Sequence, residues 1–177
     1  MITNPNFGSG LLIGYGNNNS NGTGSISLSA DRAHIGTQSL KVVAGGTAAN
    51  NGVYMAVKNS PAAGTYTFSA WVYIPSTGGF TTLIAAVGSS VFTSGPVITV
   101  RDQWVRVSIT APLSVGTSTR YFYDYGGAGS ESTGNVFYVN QTMQTQGSTL
   151  HNYADGNTPR WSWTGTINNS TSSGPAP

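Results

Sequence analysis

The sequence predicts an all-β fold, an antiparallel β-sandwich of the jelly-roll kind, and three observations lead there. Apolar and polar residues alternate in short runs, those runs are separated by Gly, Asn, Ser and Pro, and no stretch repeats its apolar residues at helical spacing. The clearest run is "TYTFSAWVYI" at 65–74. In a strand, successive side chains point to opposite faces, so Tyr66, Phe68, Ala70, Val72 and Ile74 line one face. Thr65, Thr67, Ser69, Trp71 and Tyr73 line the other. The first face suits a core; the second begins polar and ends aromatic.

In chain order, "GYGNNNSNGTG" at 14–24 reads as a polar loop projecting from the sandwich, since Gly and Asn readily take positive φ. Strand-like runs follow at 23–30, 38–44, 53–58, 65–74, 80–87, 103–110, 119–125 and 135–144. Many short strands with regular turn punctuation favour a two-sheet sandwich. The jelly-roll body is expected over 1–150, with a C-terminal extension over 151–177. Within that extension "ADGNTP" is turn punctuation with Gly156 free to take positive φ, and "RWSWTG" is a short strand. The tail "NNSTSSGPAP" has no apolar face to bury and should be extended, mobile or pinned by a neighbour.

Composition narrows the function classes. At 177 residues one domain suffices. Charged residues make up 7% of the chain, far below the quarter or so of an average globular protein, so the surface is polar but mostly uncharged. Seven Lys and Arg are scattered singly and the net charge is +2, which argues against nucleic acid as a partner. Cysteine is absent, removing disulfides and thiolate chemistry. The longest apolar runs are too short to span a bilayer, and "MITNPNF" lacks the pattern of a signal peptide, so no membrane partner is expected.

Catalytic candidates are few. The acids are Asp31, Asp102, Asp124, Glu131 and Asp155, the histidines His34 and His151, and no motif unites them. Neither an enzyme nor a cofactor is expected, although a small carboxylate-dependent hydrolase stays open because sandwich scaffolds host many functions. Asp31, Arg32 and His34 form the densest polar cluster and read as a solvated turn after a strand ending near Ala30; His151 reads as a surface or packing residue.

The aromatics carry the remaining signal. Residues two apart in a strand share a face, so Trp71 with Tyr73, the series Tyr121, Tyr123 and Tyr125, and Trp161 with Trp163 would each form a row. Trp104, at a strand start, reads as a residue that seals one end of a core, and Tyr138 is a further core or surface candidate. Exposed rows would offer flat surfaces for sugar C–H faces or for a protein neighbour. Trp71 and Tyr73 lie opposite their strand's apolar face and need a second neighbour to be hidden.

Five segments, "ITNPNFGSG" at the start, "AHIGTQSLKVVA" at 33–44, "AAGTYTFSAWVYIP" at 62–75, "QWVRVSITA" at 103–111 and "GNVFYVNQTMQTQG" at 134–147, together resemble family-4/9-type carbohydrate-binding modules with a jelly-roll fold. "YADGNTPRWSWTGTINNSTS" is similar to a segment that follows such modules in tail-associated proteins of bacteriophages. The resemblance implies a virion structural protein, a minor tail protein or a capsid decoration, assembled in the host cytoplasm and exposed on the virion surface. A start at Met1 without a signal peptide fits that expectation. Its partners would be other virion proteins, host-surface carbohydrate and copies of itself in a closed oligomer. The alternative is a genuine glycan-binding module of a secreted or cell-wall-active protein. Modules of that family often carry acids where this chain has Gly8 and Asn140, commonly at a structural calcium site, so no metal is expected there.

Overall fold

Alternation along the chain is realised as strands, with no helix among the described residues. The computed structural model describes residues 7, 10, 12, 14–18, 23–46, 50–60, 62–88, 92–124, 131–168 and 170–175, with side chains at all of these except 56–60, 92, 116–121, 123 and 124. The strands are β1 (Tyr15–Asn17), β2 (Ser25–Ser29), β3 (Ser39–Val43), β4 (Gly52–Ser60), β5 (Gly64–Tyr73), β6 (Leu83–Gly88), β7 (Phe92–Ile98), β8 (Trp104–Leu113), β9 (Gly116–Asp124), β10 (Val136–Gln146), β11 (Ser162–Trp163) and β12 (Ser172–Ser173). Two five-stranded sheets result, ordered β1-β4-β9-β6-β7 and β2-β3-β10-β5-β8, with antiparallel neighbours throughout.

The two inner faces meet in one apolar core. Tyr66, Phe68, Ala70 and Val72 of β5 belong to it, as the period-two pattern predicts, together with Leu40, Val42, Val53, Met55, Leu83, Ala85, Val107, Ile109, Phe122, Phe137 and Val139. Ile74, just past β5, joins them. Phe68 and Phe122 come from opposite sheets and their rings meet with centroids 5.7 Å apart, at a tilt favourable for aromatic pairs. Phe80 and Phe137 meet edge to face at 4.7 Å. The buried carboxylate of Glu131 accepts from the Thr81 and Thr82 backbone N–H groups (2.6 and 3.3 Å) and from the Asn135 amide (3.0 Å). It ties the segment before β6 to the turn before β10.

Two strands depart from the sequence expectation. Residues 15–17, within the stretch read as a projecting loop, form edge strand β1 paired with Val53–Met55. Tyr15 is inward, its ring 4.9 Å from Phe7 and its hydroxyl bonded to Thr142 at 2.7 Å. Burial raises the Tyr15 pKa, so the phenol stays protonated. β7 reads "FTSGPVI", whose Gly95 and Pro96 argue against a strand. It survives because it is an edge, where a missing N–H costs no ladder bond, and a register shift opposite Ile84–Ala86 accommodates it. Gly95 also lies so close to the Ile109 side chain that a Cβ would collide with it.

The C-terminal segment folds on itself. Asp155 is buried; its Oδ1 accepts from Asn157 N–H (2.9 Å), its N–H donates to Thr158 Oγ1 (3.0 Å), and its Oδ2 accepts from the Tyr153 hydroxyl (2.9 Å). Burial and the adjacent carboxylate push the Tyr153 pKa up. β11 pairs with β12, Ser162 opposite Ser173 and Trp163 opposite Ser172, pinning the tail by the chain itself. Gly156 is not in the left-handed region; its lack of a side chain serves packing instead, because the Trp163 ring lies where its Cβ would be. Gly174 serves Trp161 in the same way.

Gly156→Ala should therefore displace the Trp163 ring and reduce hydrogen-exchange protection across 156–174 by about tenfold or more, leaving β5 and β10 protected as before. Unchanged protection of 156–174 would contradict the ring-on-glycine packing.

Candidate functional site

The outer face of the second sheet is built by register. One rung runs across all five strands as Ser27, Lys41, Tyr138, Tyr73 and Trp104. The next aligns Asn140, Trp71 and Arg106 on β10, β5 and β8. Alternation alone thus gathers two tryptophans, two tyrosines, a lysine and an arginine. Ring centroids are 5.6 Å apart for Tyr73 and Trp104 and 6.1 Å for Tyr73 and Tyr138. Trp104 belongs to this outer row and does not seal the core.

This face is not open platform. Residues 30–38, connecting β2 to β3, fold back over it as a strap. Asp31 Oδ2 pairs with Lys41 Nζ at 2.9 Å and accepts from the Tyr138 hydroxyl at 3.4 Å. The Arg32 guanidinium carbon stands 5.3 Å from the Tyr73 ring centroid, a cation–π arrangement. His34 stacks on Trp71, centroids 4.0 Å apart and planes 20° apart, with Trp104 at 5.6 Å. Beneath the strap Tyr73 and Tyr138 are only 8% and 5% exposed, while Trp71 and Trp104 remain half-buried. The second neighbour that Trp71 and Tyr73 require is the protein's own Asp31–Arg32–His34 cluster. Reading that cluster as a solvated turn holds for the exposed Asp31 and Arg32 but not for His34.

A β-bulge fixes the strap. Between Asn140 and Met143 β10 carries one residue more than β5, and Gln141 adopts φ 49°, a conformation L-residues take at a cost of about 1–3 kcal/mol. The bulge aims the Gln141 amide at the strap, where its Oε1 meets His34 Nδ1. Asn140, fully buried, donates its Nδ2 to the carbonyls of Gln38 (2.9 Å) and Ile35 (3.4 Å). Ser39 Oγ donates to the Arg32 carbonyl at 2.5 Å. A carboxylate at position 140 could not donate to those carbonyls, which gives asparagine its reason there. Gly8 lies outside the described residues, and among the described residues no three His, Cys, Asp or Glu side chains group as metal ligands.

Arg106 is a half-buried cation of the face. Directly opposite Trp71, it donates through Nη2 to Ser69 Oγ (3.3 Å) and to the His151 carbonyl. Desolvation lowers its pKa, which leaves it charged at neutral pH. Asp102 accepts at Oδ1 from the Ser76 N–H (2.9 Å) and the Tyr73 hydroxyl (3.4 Å); the Ser76 bonds hold its pKa below the ordinary value. Asp31 is likewise held below the ordinary carboxylate value of 3.8, chiefly by its bond to Lys41. A folded pKa below the unfolded one means that this pairing stabilises the fold above the ordinary value and is lost as pH falls through the lowered one.

The other candidates do not join this cluster. Tyr121 and Tyr123 are in β9, a strand of the opposite sheet, and their side chains, like the whole of Tyr125, lie outside the described residues. Trp161 and Trp163 each lay one face on a glycine backbone, and Trp163 Nε1 donates to Asn157 Oδ1 at 3.1 Å. Sequence reasoning missed His34, Asn140, Gln141 and Arg106 as partners of Trp71. Only the cross-strand register and the bulge bring them together, though the polar cluster at 31–34 was a visible signal.

His34→Ala should uncover one face of Trp71, raising the collisional quenching of tryptophan fluorescence by acrylamide and costing about 0.5–1.5 kcal/mol of stability. Quenching unchanged from the parent protein would contradict the stack.

No protein-family profile matches the sequence, and no curated protein matches it. Solved structures do. The C-terminal family 22 carbohydrate-binding module of Clostridium thermocellum Xyn10B is 21% identical, with a TM-score of 0.60 over 80% of this chain and 91% of that one. The CBM22-1 xylan-binding domain of Paenibacillus barcinonensis Xyn10C is 16% identical, with a TM-score of 0.58 over 77% of this chain and 88% of that one. The enzymatically active domain of bacteriophage CBA120 tailspike protein 4 is 8% identical, with a TM-score of 0.61 over 82% of this chain but 21% of that one. The modules carry family number 22, where the sequence resemblance pointed to families 4 and 9. Identities this low speak to fold alone, and the fold is the β-sandwich jelly roll of carbohydrate-binding modules.

Proposed function

We propose that this protein is a non-catalytic glycan-binding module whose binding face is the outer surface of the second sheet beside the strap. The observation that carries the reading is the convergence of Trp71, Trp104, His34 and Arg106, with the Ser108 hydroxyl beside them, on one face of a carbohydrate-binding-module sandwich. Indole faces take sugar C–H groups, and the surrounding hydroxyls and guanidinium supply donors to sugar oxygens. The four described carboxylates all have structural work. Asp31 holds Lys41, Asp102 and Glu131 accept backbone N–H groups, and Asp155 organises the C-terminal turn. That distribution supports binding over hydrolysis.

A second layer concerns where the module operates. The similarity of 153–172 to a segment of phage tail-associated proteins, together with the occurrence of the same fold in a phage tailspike protein, supports a place on a virion surface as a minor tail or decoration protein. Purified particles would then contain the protein at a fixed copy number; particles lacking it would rule out the virion role and leave glycan binding untouched.

For binding itself, affinity electrophoresis against a panel of plant and bacterial cell-wall polysaccharides should find at least one ligand. Trp104→Ala should weaken that interaction by about 1–3 kcal/mol while Trp163→Ala leaves it unchanged. A folded Trp104→Ala protein with undiminished affinity would exclude this face.

A further inference from the structure

The charged groups on the outer face are unequally spent. In a chain with seven cations and five acids, Arg32, Lys41 and Arg106 converge on this one face with Asp31 and Asp102. Both acids are already engaged: Asp31 by Lys41 and Tyr138, Asp102 by Ser76 and Tyr73. Asp31 is paired with Lys41, and no described carboxylate lies within ion-pair distance of Arg32 or Arg106, although Asp102 attracts Arg32 from farther away. Arg101 also lacks one, but its guanidinium reaches the carbonyls of Pro75, Phe80 and Thr81. Arg106 is different: its bonds to the described residues run through Nη2 alone, so the rest of its five-donor fork stands open directly beside Trp71. A guanidinium withdrawn from water without a counter-charge is costly, and its planar fork matches a carboxylate or phosphate better than a neutral hydroxyl.

We propose that the ligand of this face is an anionic polysaccharide, its carboxylate or phosphate received by Arg106 while a neighbouring sugar ring packs against Trp71 and Trp104, with Arg32 on the strap supplying a second positive charge. This rests on the glycan-binding reading and narrows it to a substrate class. Arg106 sits in the rung of Trp71 and Arg32 lies over Tyr73, one register step on, so the two guanidinium groups flank the aromatic row.

The test is isothermal titration of the full chain with three polymers: polygalacturonate for carboxylates, a poly(glycerol phosphate) teichoic acid for phosphodiesters, and unsubstituted xylan as the neutral control. The expected result is binding to one or both anionic polymers at least about tenfold tighter than to xylan, weakening as salt is raised. Arg106→Gln should remove most of that preference, and Arg106→Lys, which keeps the charge but not the fork, should restore only part. Should Arg106→Gln not fold, Arg32→Gln on the exposed strap should lower affinity for the anionic polymer severalfold, and by clearly more than it lowers affinity for xylan. Which anionic polymer binds distinguishes carboxylate from phosphate. Xylan bound as tightly as the anionic polymers, or an anionic preference indifferent to salt and to both arginine variants, overturns the inference while the glycan-binding reading stands. No binding to any of the three overturns the inference, while ligands found elsewhere in the polysaccharide panel would keep the broader reading.

Discussion

The bulge at Gln141 is the constraint on which the second sheet's outer face depends. One extra residue in β10 turns two consecutive amides, Asn140 and Gln141, onto the same side, where an unbroken strand would send one of them into the core. Those amides hold the 30–38 strap by three hydrogen bonds, and the strap places an imidazole on Trp71 and a guanidinium on Tyr73. Without the bulge the aromatic row would be a bare apolar stripe. With it, the row is half roofed by polar chemistry. A left-handed glutamine is unfavourable by itself, and its persistence at a site where several elements converge fits a position shaped for recognition.

Scarcity of charge gives the remaining charges meaning. A sandwich of this size gains most of its stability from the apolar interface between its sheets, exemplified by Phe68 against Phe122. Buried carboxylates occur where loops must be fastened: Glu131 over Thr81 and Thr82, Asp155 in the turn that seats Trp163. Arg32, Lys41 and Arg106 gather on the aromatic face, an arrangement that the proposed recognition of an anionic glycan would explain.

Much of the body was legible in the sequence because period-two alternation is a direct image of a half-buried strand. β5 was readable to within a residue or two, and its inward set of Tyr66, Phe68, Ala70, Val72 and Ile74 is the observed one. β1 and β7 were not, since Gly16, Gly95 and Pro96 are turn residues by local preference and strand residues only through edge pairing. The site was half legible. Trp71 and Tyr73 were identifiable as an outward pair, but their partners come from residues 31–34, 104–106 and 138–141, joined by register and by a bulge that no local pattern announces. Gly156 illustrates the same limit: its need for no side chain comes from a tryptophan seven residues on, and not from its own backbone angle.

On the proposed reading, the strapped aromatic face, and not the Trp161–Trp163 hairpin, receives the ligand. The chain's four tryptophans provide the most direct test, because their indole N–H groups give four separate signals in a nitrogen–proton correlation spectrum. During titration with a bound uronic-acid oligosaccharide, the Trp71 and Trp104 signals should move together with one binding constant while those of Trp161 and Trp163 stay in place. Movement confined to Trp161 and Trp163 would contradict the account and assign the hairpin as the binding surface.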